Sequence, residues 1–498
     1  MMNFAIEVTA EANPLSKRTL YHVLQSSTSN DQQQIKTGTQ QLQNWETTAG
    51  FYSLLQSIYV DYTIPVELRY LAILQLKNGI DKYWRKTALN AIKKEERESI
   101  RSQLISSAIM EPDPRLALQI SIVIGKITRF EYSHDWPDAI SSTLEELRTA
   151  LRAGNSVHLS RTFLILLHII KVLSSAKLLR HRTSLQAVAP DIIESLSSIY
   201  VEKANTWLSF LRNGGDEVGG TLENMDQSLL ALRILRRLLV AGYDFPNRHQ
   251  EVKDVWSMLA SQFGEMLALV HWVPASIQSN SRSLIEKHLF QISKLHLNMI
   301  KLHPAAFPLL PDSMNIAKAW WSLARQFGDT IGSQSPLVNS NSGSNGEPDA
   351  GDWISALEKL SLSALTIIRG CLKMVYNPMQ TFKYQRAEDK EEKRIAQERV
   401  KNDLLTELFA QEMMENLVTH FLVLTPRDLK QWEEDPEEWE KSQESSGEDW
   451  DISTRTCSEK LFLDLIINYK ELLVQPLIHV FKTAAGLFIE MEVGIISY

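Results

Sequence analysis

The sequence predicts an all-α protein, and three observations carry that expectation. Glycine and proline are sparse, 20 and 17 in 498 residues, so few turns punctuate the chain. Apolar residues recur at helical spacing, and alternating strand-like patterns are hard to find. The segments joining these patterns are mostly short. Length alone allows about three ordinary domains. At 44% hydrophobic and 22% charged residues, the chain has the composition of a packed soluble protein, not of a disordered one.

From the N-terminus, residues 35–107 read as four helices. Leu42 and Trp45 close the first, and Phe51, Leu54, Leu55 and Ile58 face inward from the second. Pro65 opens the third, and the acidic first turn Glu95-Glu96 marks the fourth. Next, Asp113-Pro114 form an N-cap and first-turn pair ahead of Leu116, Ile120, Val123, Ile124 and Ile127, which share one face. Ser160 precedes the same pattern in Phe163, Leu166, Leu167, Ile170 and Leu173. Leu229, Leu232, Leu235, Leu238 and Leu239 repeat it, as do Ile285, Leu289, Ile292 and Ile300.

A bundle and a solenoid both satisfy such helices, and an internal repeat separates them. Trp256-Ser-Met-Leu259-Ala260-Ser-Gln262-Phe263-Gly264-Glu265 recurs as Trp320-Trp-Ser-Leu323-Ala324-Arg-Gln326-Phe327-Gly328-Asp329, 64 residues later, with six identities and no gap. A long apolar helix and a Phe-Pro pair, Phe245-Pro246 or Phe307-Pro308, precede each copy. The unit is therefore helix, proline-marked turn, helix. One such pair cannot cover its own apolar faces, so pairs stack. The expected class is a HEAT/ARM-type repeat solenoid, a right-handed α-α superhelix whose repeats carry inserted loops.

Two stretches depart from the pattern. Residues 332–351 are rich in Ser, Asn and Gly and read as a surface loop. Residues 428–456 form an acidic insertion with embedded Trp432, Trp439 and Trp450. Between them, 387–404 reads as a highly charged helix laced by i,i+4 ion pairs.

Charge and motifs narrow the function. Lys and Arg total 52 against 60 Asp and Glu, a net charge of −8, which argues against a general binder of nucleic acid or anionic membranes and tolerates basic partners. With Cys371 and Cys457 the only cysteines, a disulfide scaffold or cysteine-rich metal site is excluded, and a reducing compartment fits. No secretory signal is expected at the N-terminus, and the most apolar run, Phe163–Ile170, is too short to span a bilayer. Gly125-Lys126 lacks the first glycine of a phosphate loop, and no dinucleotide, zincin or nucleophile-elbow motif occurs. His296 and His303 share a helix face without nearby cysteine or carboxylate ligands, so they read as partly buried polar residues and not as a metal pair. The expectation is a non-enzymatic protein with no cofactor and no metal.

The third helix is the most informative. Leu68, Leu71, Ala72 and Gly79 lie on one face, and Ile73, Leu76 and Ile80 form a second apolar stripe beside it. Burial on two sides leaves a narrow strip of Tyr70, Leu74, Lys77 and Asp81, flanked by Asn78, Lys82 and Arg85. Such a strip either solvates the helix or lines a surface for a partner.

The run L-x-x-W-E (42–46), G-F-Y-S-L-L (50–55) and V-E-L-R-x-L-A-I-L-x-L-K-N-G-I-D-K-Y-W (66–84) resembles the importin-β (karyopherin) family, and within it the importin-eleven branch. Residues 35–107 correspond to the family's N-terminal domain, after a partial first repeat in 1–34. Asp135-Trp136-Pro137 resembles a W-P that opens a helix in these transporters; Pro137 would sit in the first turn and Trp136 would staple it. Trp432-Glu-Glu-Asp435-Pro436-Glu437-Glu438-Trp439 resembles the family's W-x-x-D-P-E-E-F block, with Trp439 in place of Phe. Residues 108–331 and 352–427 then read as further repeats and 457–498 as a partial one. Family members are about twice as long, so the resemblance also implies a truncated chain, since a terminal repeat needs a polar cap.

The resemblance implies a nuclear import receptor that carries protein cargo through the pore and releases it on binding Ran-GTP. An export receptor of the same family, or a HEAT-repeat scaffold unrelated to transport, are the alternatives. It also implies shuttling between nucleus and cytoplasm by way of the nuclear envelope, FG-nucleoporins as partners, no direct nucleic-acid contact, no membrane insertion and a monomer. The helices corresponding to the family's Ran-binding ones are 31–46, 65–82 and 114–128. Lys77, Asn78, Lys82 and Arg85 are the candidate contacts, with Gln119 and Lys126 on the third helix. In the acidic segment, Glu433, Glu434, Asp435, Glu437 and Glu438 would attract basic cargo or lie near Ran, or simply stay solvated. Lys171, Lys177, Arg180, His181 and Arg182 read as a basic helix end and loop.

Overall fold

The computed structural model describes residues 14–176, 178–214, 219–272, 279–333, 348–377, 386–423, 426–437, 440 and 453–496. Every regular element among the described residues is helical, and helices pack in successive pairs, a HEAT/ARM-type repeat arrangement. The chain divides into two compact units, residues 1–203 with 226–242, and residues 204–225 with 243–498.

The first unit contains α1 (Lys17–Ser27), α2 (Gln32–Trp45), α3 (Phe51–Tyr59), α4 (Val66–Tyr83), α5 (Lys94–Met110), α6 (Pro114–Glu131), α7 (Ala139–Arg152) and α8 (Ser156–Ser174). Parts of α9 (Leu179–Arg212) and α10 (Gly219–Ala241) complete it. Helices pair as α1 with α2, α3 with α4, α5 with α6 and α7 with α8, while α4, α6 and α8 pack successively in one layer. Local chemistry sets the boundaries. Ser16 and Thr19 form a reciprocal capping box at α1, and the Asp31 carboxylate accepts from Gln33 N at α2. Asp113 caps α6 through Arg115 N and Leu116 N, with Pro114 in the first turn as expected. The start of α3 has no cap of its own. Gly50 there adopts φ +84°, and the Glu96 carboxylate of α5 accepts from Gly50 N (2.9 Å) and Ser53 N (3.1 Å).

Several boundaries differ from the sequence expectation. Asn155, accepting from His158 N, caps α8, so Ser160 lies inside the helix. Phe163–Ile170 is the middle of this 19-residue helix, which by length and composition alone suffices to cross a bilayer. Instead it packs its buried residues against α6 and α7. Pro137 precedes the Asp138 N-cap of α7 and does not enter the first turn, while Trp136 is buried as an anchor. In α3, Leu54 is only half-buried; Tyr52, Gln56 and Tyr59 take core positions beside Phe51, Leu55 and Ile58. Leu71 of α4 is likewise half-buried.

The second unit contains α11 (Gln250–Trp272), α12 (Ser279–Leu302), the short α13 (Ala306–Leu309), α14 (Ser313–Ser333) and α15 (Pro348–Tyr376). It continues with α16 (Ala387–Asp403), α17 (Glu407–Asn416), α18 (Pro426–Glu434), α19 (Thr454–Asn468) and α20 (Lys470–Ile496). Both copies of the repeated decapeptide lie within helices, α11 and α14, and both Phe-Pro pairs fall at short helical turns. His296 of α12 sits between the copies, its ring centroid 4.9 Å from Trp256 and 6.0 Å from Trp320. Histidine here is a packing element between the two copies.

α14 and α15 trim the expected loop of 332–351 at both ends; its residues 334–347 lie outside the described residues. The charged helix α16 carries the expected local pairs, Arg394 with Glu391 and Glu398, yet it is also clasped. Arg248 bonds to Asp389 (2.6 Å) and Glu392 (2.7 Å), and Ala396 and Val400 are buried. The expected acidic insertion of 428–456 begins within α18 and ends within α19, and residues 438–439 and 441–452 lie outside the described residues.

Candidate partner-binding surface

α4 buries Leu68, Arg69, Ala72, Ile73, Leu76, Gly79 and Ile80, which share one broad face. On the other side the expected strip has Tyr70, Leu74 and Lys77 half-buried and Asp81 exposed, and Glu67, Asn78 and Lys82 are exposed beside it. Two buried ionic clusters hold this helix in place. Arg69 pairs with Glu111 with both side chains buried, and its Nε donates to Tyr59 O at 2.7 Å. At the other end Trp84 Nε1 donates to Glu131 Oε1 (3.0 Å), a carboxylate that also receives Arg97 (3.3 Å) and Arg101 (2.7 Å). Charges with these partners are tolerated in the interior only as complete networks, so the clusters fix α4, α5 and α6 in one register.

That register aligns the strip of α4 with the strip of α6. Lys77 Nζ donates to Gln119 Oε1 at 2.8 Å, Asp81 pairs with Lys126, and the Arg85 guanidinium lies 5.3 Å over the Phe130 ring. Four of the six candidate residues (Lys77, Arg85, Gln119 and Lys126) thus form rungs of one ladder between two helices. Burial pushes the Lys77 ammonium below its ordinary value, the nearby Lys126 charge lowers it further, and Asp81 opposes both. Lys77 is a half-buried cation held by a neutral amide, a geometry that favours an arriving anionic or carbonyl acceptor.

Lys82 and Asn78 do not join the ladder. Lys82 is exposed and pairs with Glu46 at 2.9 Å beyond the end of α2, where Tyr83 Oη also donates to Glu46 at 3.0 Å. The Glu46 hydrogen bond raises the Lys82 ammonium. Asn78 is exposed beside Lys77. In the acidic segment Glu433, Glu434, Asp435 and Glu437 are exposed, as is Trp432; Glu438, Trp439 and Trp450 lie outside the described residues. Of the basic group at 171–182, Lys171 lies in the last turn of α8 and Arg180, His181 and Arg182 at the start of α9, with Lys177 outside the described residues.

Sequence reading passed over Arg69, Glu111 and Glu131, which sit at positions that look surface-exposed by residue type. It also passed over a continuation of the strip onto α8 and α10. The signal was present: Arg161, Leu164, His168 and Lys171 repeat the 3- and 4-residue spacing of the α4 strip, as do Asp226, Leu230, Arg233 and Arg237.

Stacked helix pairs with a polar strip shared by α4 and α6 define a HEAT/ARM-type repeat scaffold. Residues 38–109 match the Importin-beta N-terminal domain family. The chain is 27% identical over 466 residues to Importin-11 of Mus musculus, covering 93% of this chain and 44% of that protein. It is 30% identical over 443 residues to the Importin beta-like protein KAP120 of Saccharomyces cerevisiae, covering 89% and 40%. A solved structure of Lph2, described as a bidirectional nuclear transport receptor in S. cerevisiae, superposes with TM-score 0.72 at 27% identity, covering 94% of this chain and 42% of that one. Residues 38–109 thus carry an importin-β N-terminal domain match, and most of the chain is similar to importin-β-like proteins, of whose length it spans less than half.

Proposed function

We propose that this chain acts in a nuclear transport receptor of the importin-eleven type, shuttling between cytoplasm and nucleus and importing protein cargo. In this reading Ran-GTP engages the layer built by α2, α4 and α6, and its binding displaces cargo. The observation that carries the reading is the ladder of Lys77 and Asp81, within the segment that matches the Importin-beta N-terminal domain, with Gln119 and Lys126 of the next helix pair. Lys77, with Lys126 and Arg85 beside it, supplies cations for a partner's acceptors, while Asn78 and Lys82 flank them. Passage through the pore relies on FG-nucleoporins, and the exposed acids Glu433, Glu434, Asp435 and Glu437 favour a basic cargo surface. Release is a competition: two ligands with different preferred conformations of one scaffold weaken each other's binding.

The test is capture of Ran by the full chain in the GTP-locked and GDP-bound states. GTP-dependent capture that weakens in Lys77→Ala and Lys126→Ala supports the reading. Equal capture of both nucleotide states, or none, removes it and leaves a non-transport scaffold. Export is the second reading, favoured by one observation: Lph2, similar over 94% of this chain, is described as bidirectional. Adding Ran-GTP to a cargo complex separates the two, since import predicts release and export predicts tighter cargo binding.

A further inference from the structure

The strip that begins on α4 and α6 changes character on α8 and α10. Arg233, Arg236 and Arg237 of α10 are all half-buried, and burial pushes all three guanidinium groups down, Arg236 to about 10. Each is lowered further by a neighbouring arginine or offset by a single acid: Arg233 feels Asp226, whereas Arg236 and Arg237 feel only other cations. Among the described residues neither Arg236 nor Arg237 forms an ion pair. Arg237 donates to the backbone Arg233 O at 2.6 Å, and the buried Nε of Arg236 has no acceptor. Opposite them, α8 presents His168, which burial and the charges of Lys171 and Arg237 hold neutral, with a value of about 4. The two helices are tied together by Gln227 Nε2, which donates to Ser156 Oγ at 2.6 Å.

A chain of net charge −8 has thus gathered Arg233, Arg236, Arg237 and Lys171 with the neutral His168 on one edge, and Asp226 is the single acid acting on the three arginines. Half-buried like charges without counter-charges oppose folding, so packing does not account for them. Half-buried Leu230 lies one turn before Arg233 on α10, and half-buried Leu164 lies one turn before His168 on α8. Cationic and aliphatic side chains side by side on this edge match a peptide that carries both carboxylates and apolar side chains. A nucleic-acid backbone would require a continuous row of cations and offers nothing to the leucines.

We propose that the α8–α10 edge is a docking surface for an acidic protein segment, whose carboxylates pair with Arg233 and Arg237 while its apolar side chains rest on Leu164 and Leu230. Arg–carboxylate pairs of this kind are bidentate and gain strength where water is partly excluded. The surface does not depend on the transport reading, because it requires neither Ran nor a nucleotide.

The experiment measures binding of the full chain to a short fluorescent peptide of alternating Glu and Leu, to its Lys–Leu counterpart and to a single-stranded RNA oligonucleotide. The Glu peptide should bind saturably, weaken with salt, and weaken about tenfold or more in Arg233→Gln/Arg237→Gln. Arg394→Gln on exposed α16 should bind it normally. The double variant should also unfold at the same or a higher temperature than the parent, since it relieves repulsion. Absence of saturable binding, undiminished binding in the double variant, tighter binding of RNA, or a clear loss of thermal stability in the double variant would each overturn the proposal.

Discussion

Trp320 donates its indole N–H to Nδ1 of His296 at 2.9 Å, and the imidazole proton therefore resides on Nε2. Trp256, from the other copy of the repeated decapeptide, packs on the same ring, and Phe263 stacks on Trp320 at 4.6 Å. The two copies thus share a single histidine that is wholly buried, and burial lowers its value to about 3.

Stability should therefore fall in acid. His296 is neutral when folded and takes a proton near pH 6.5 when unfolded, so the unfolded state binds more protons between about pH 6.5 and pH 3. Its contribution is fully present above pH 6.5 and is lost progressively below it, with a slope of at most about 1.4 kcal/mol per pH unit. His168, lowered to about 4, adds a slope of the same sign. Chemical denaturation at pH 7 and pH 5 checks this: His296→Gln, which still accepts from Trp320, should flatten the difference. An equally steep dependence in the variant would contradict the assignment.

Glycine in the repeated segment yields a second expectation, because its two copies differ in surroundings. A Cβ added at Gly264 meets nothing within 4 Å, whereas one at Gly328 would come within 2.8 Å of the Phe421 ring. Gly264→Ala should stabilise α11 by up to about 1 kcal/mol through helix propensity. Gly328→Ala should cost about 1–3 kcal/mol by overpacking. Denaturant midpoints of the two variants, measured side by side, test the contrast.

The Arg69–Glu111 pair should behave as a unit. Both side chains are buried, so Arg69→Met or Glu111→Leu alone strands a charge and should cost about 3–5 kcal/mol. The double substitution should recover much of that loss, and a double-mutant cycle reports the coupling directly. Additive losses would show that packing, not charge, sets the cost.

α16 should loosen when its clasp is removed. Arg248 is about two-fifths exposed, which reduces the worth of its bonds to Asp389 and Glu392, but Asp389 is buried. Arg248→Ala should cost about 1–2 kcal/mol. It should also speed amide exchange across 387–403, with α12 unchanged; unaltered exchange in α16 would argue that Ala396 and Val400 alone hold it.

Much of this fold is legible in the sequence because stacked helices bury wide faces, and wide faces leave long periodic patterns. Asp113-Pro114, the leucine series of α10 and the repeated decapeptide all mark elements where the structure has them. Boundaries are less legible where a cap comes from elsewhere. Glu96 caps α3 from a residue 46 positions away, and no local motif announces it. Of the candidate site, the α4 strip can be read because a broad apolar face borders it. The buried charges Arg69, Glu111 and Glu131 cannot, since their burial depends on partners 30 to 47 residues distant. The α10 arginines escape notice for a related reason: by residue type they look solvated, and only neighbouring helices make them half-buried.

The narrowness of the open strip on α4 has an evolutionary corollary. With seven inward positions committed to the interior, the partner preference proposed for that helix would rest with its open side, Tyr70, Leu74, Lys77 and Asp81 foremost. A lineage can therefore exchange those four side chains and acquire a new ligand without disturbing how the helices nest, so diversification of specificity and preservation of architecture proceed on separate sets of codons.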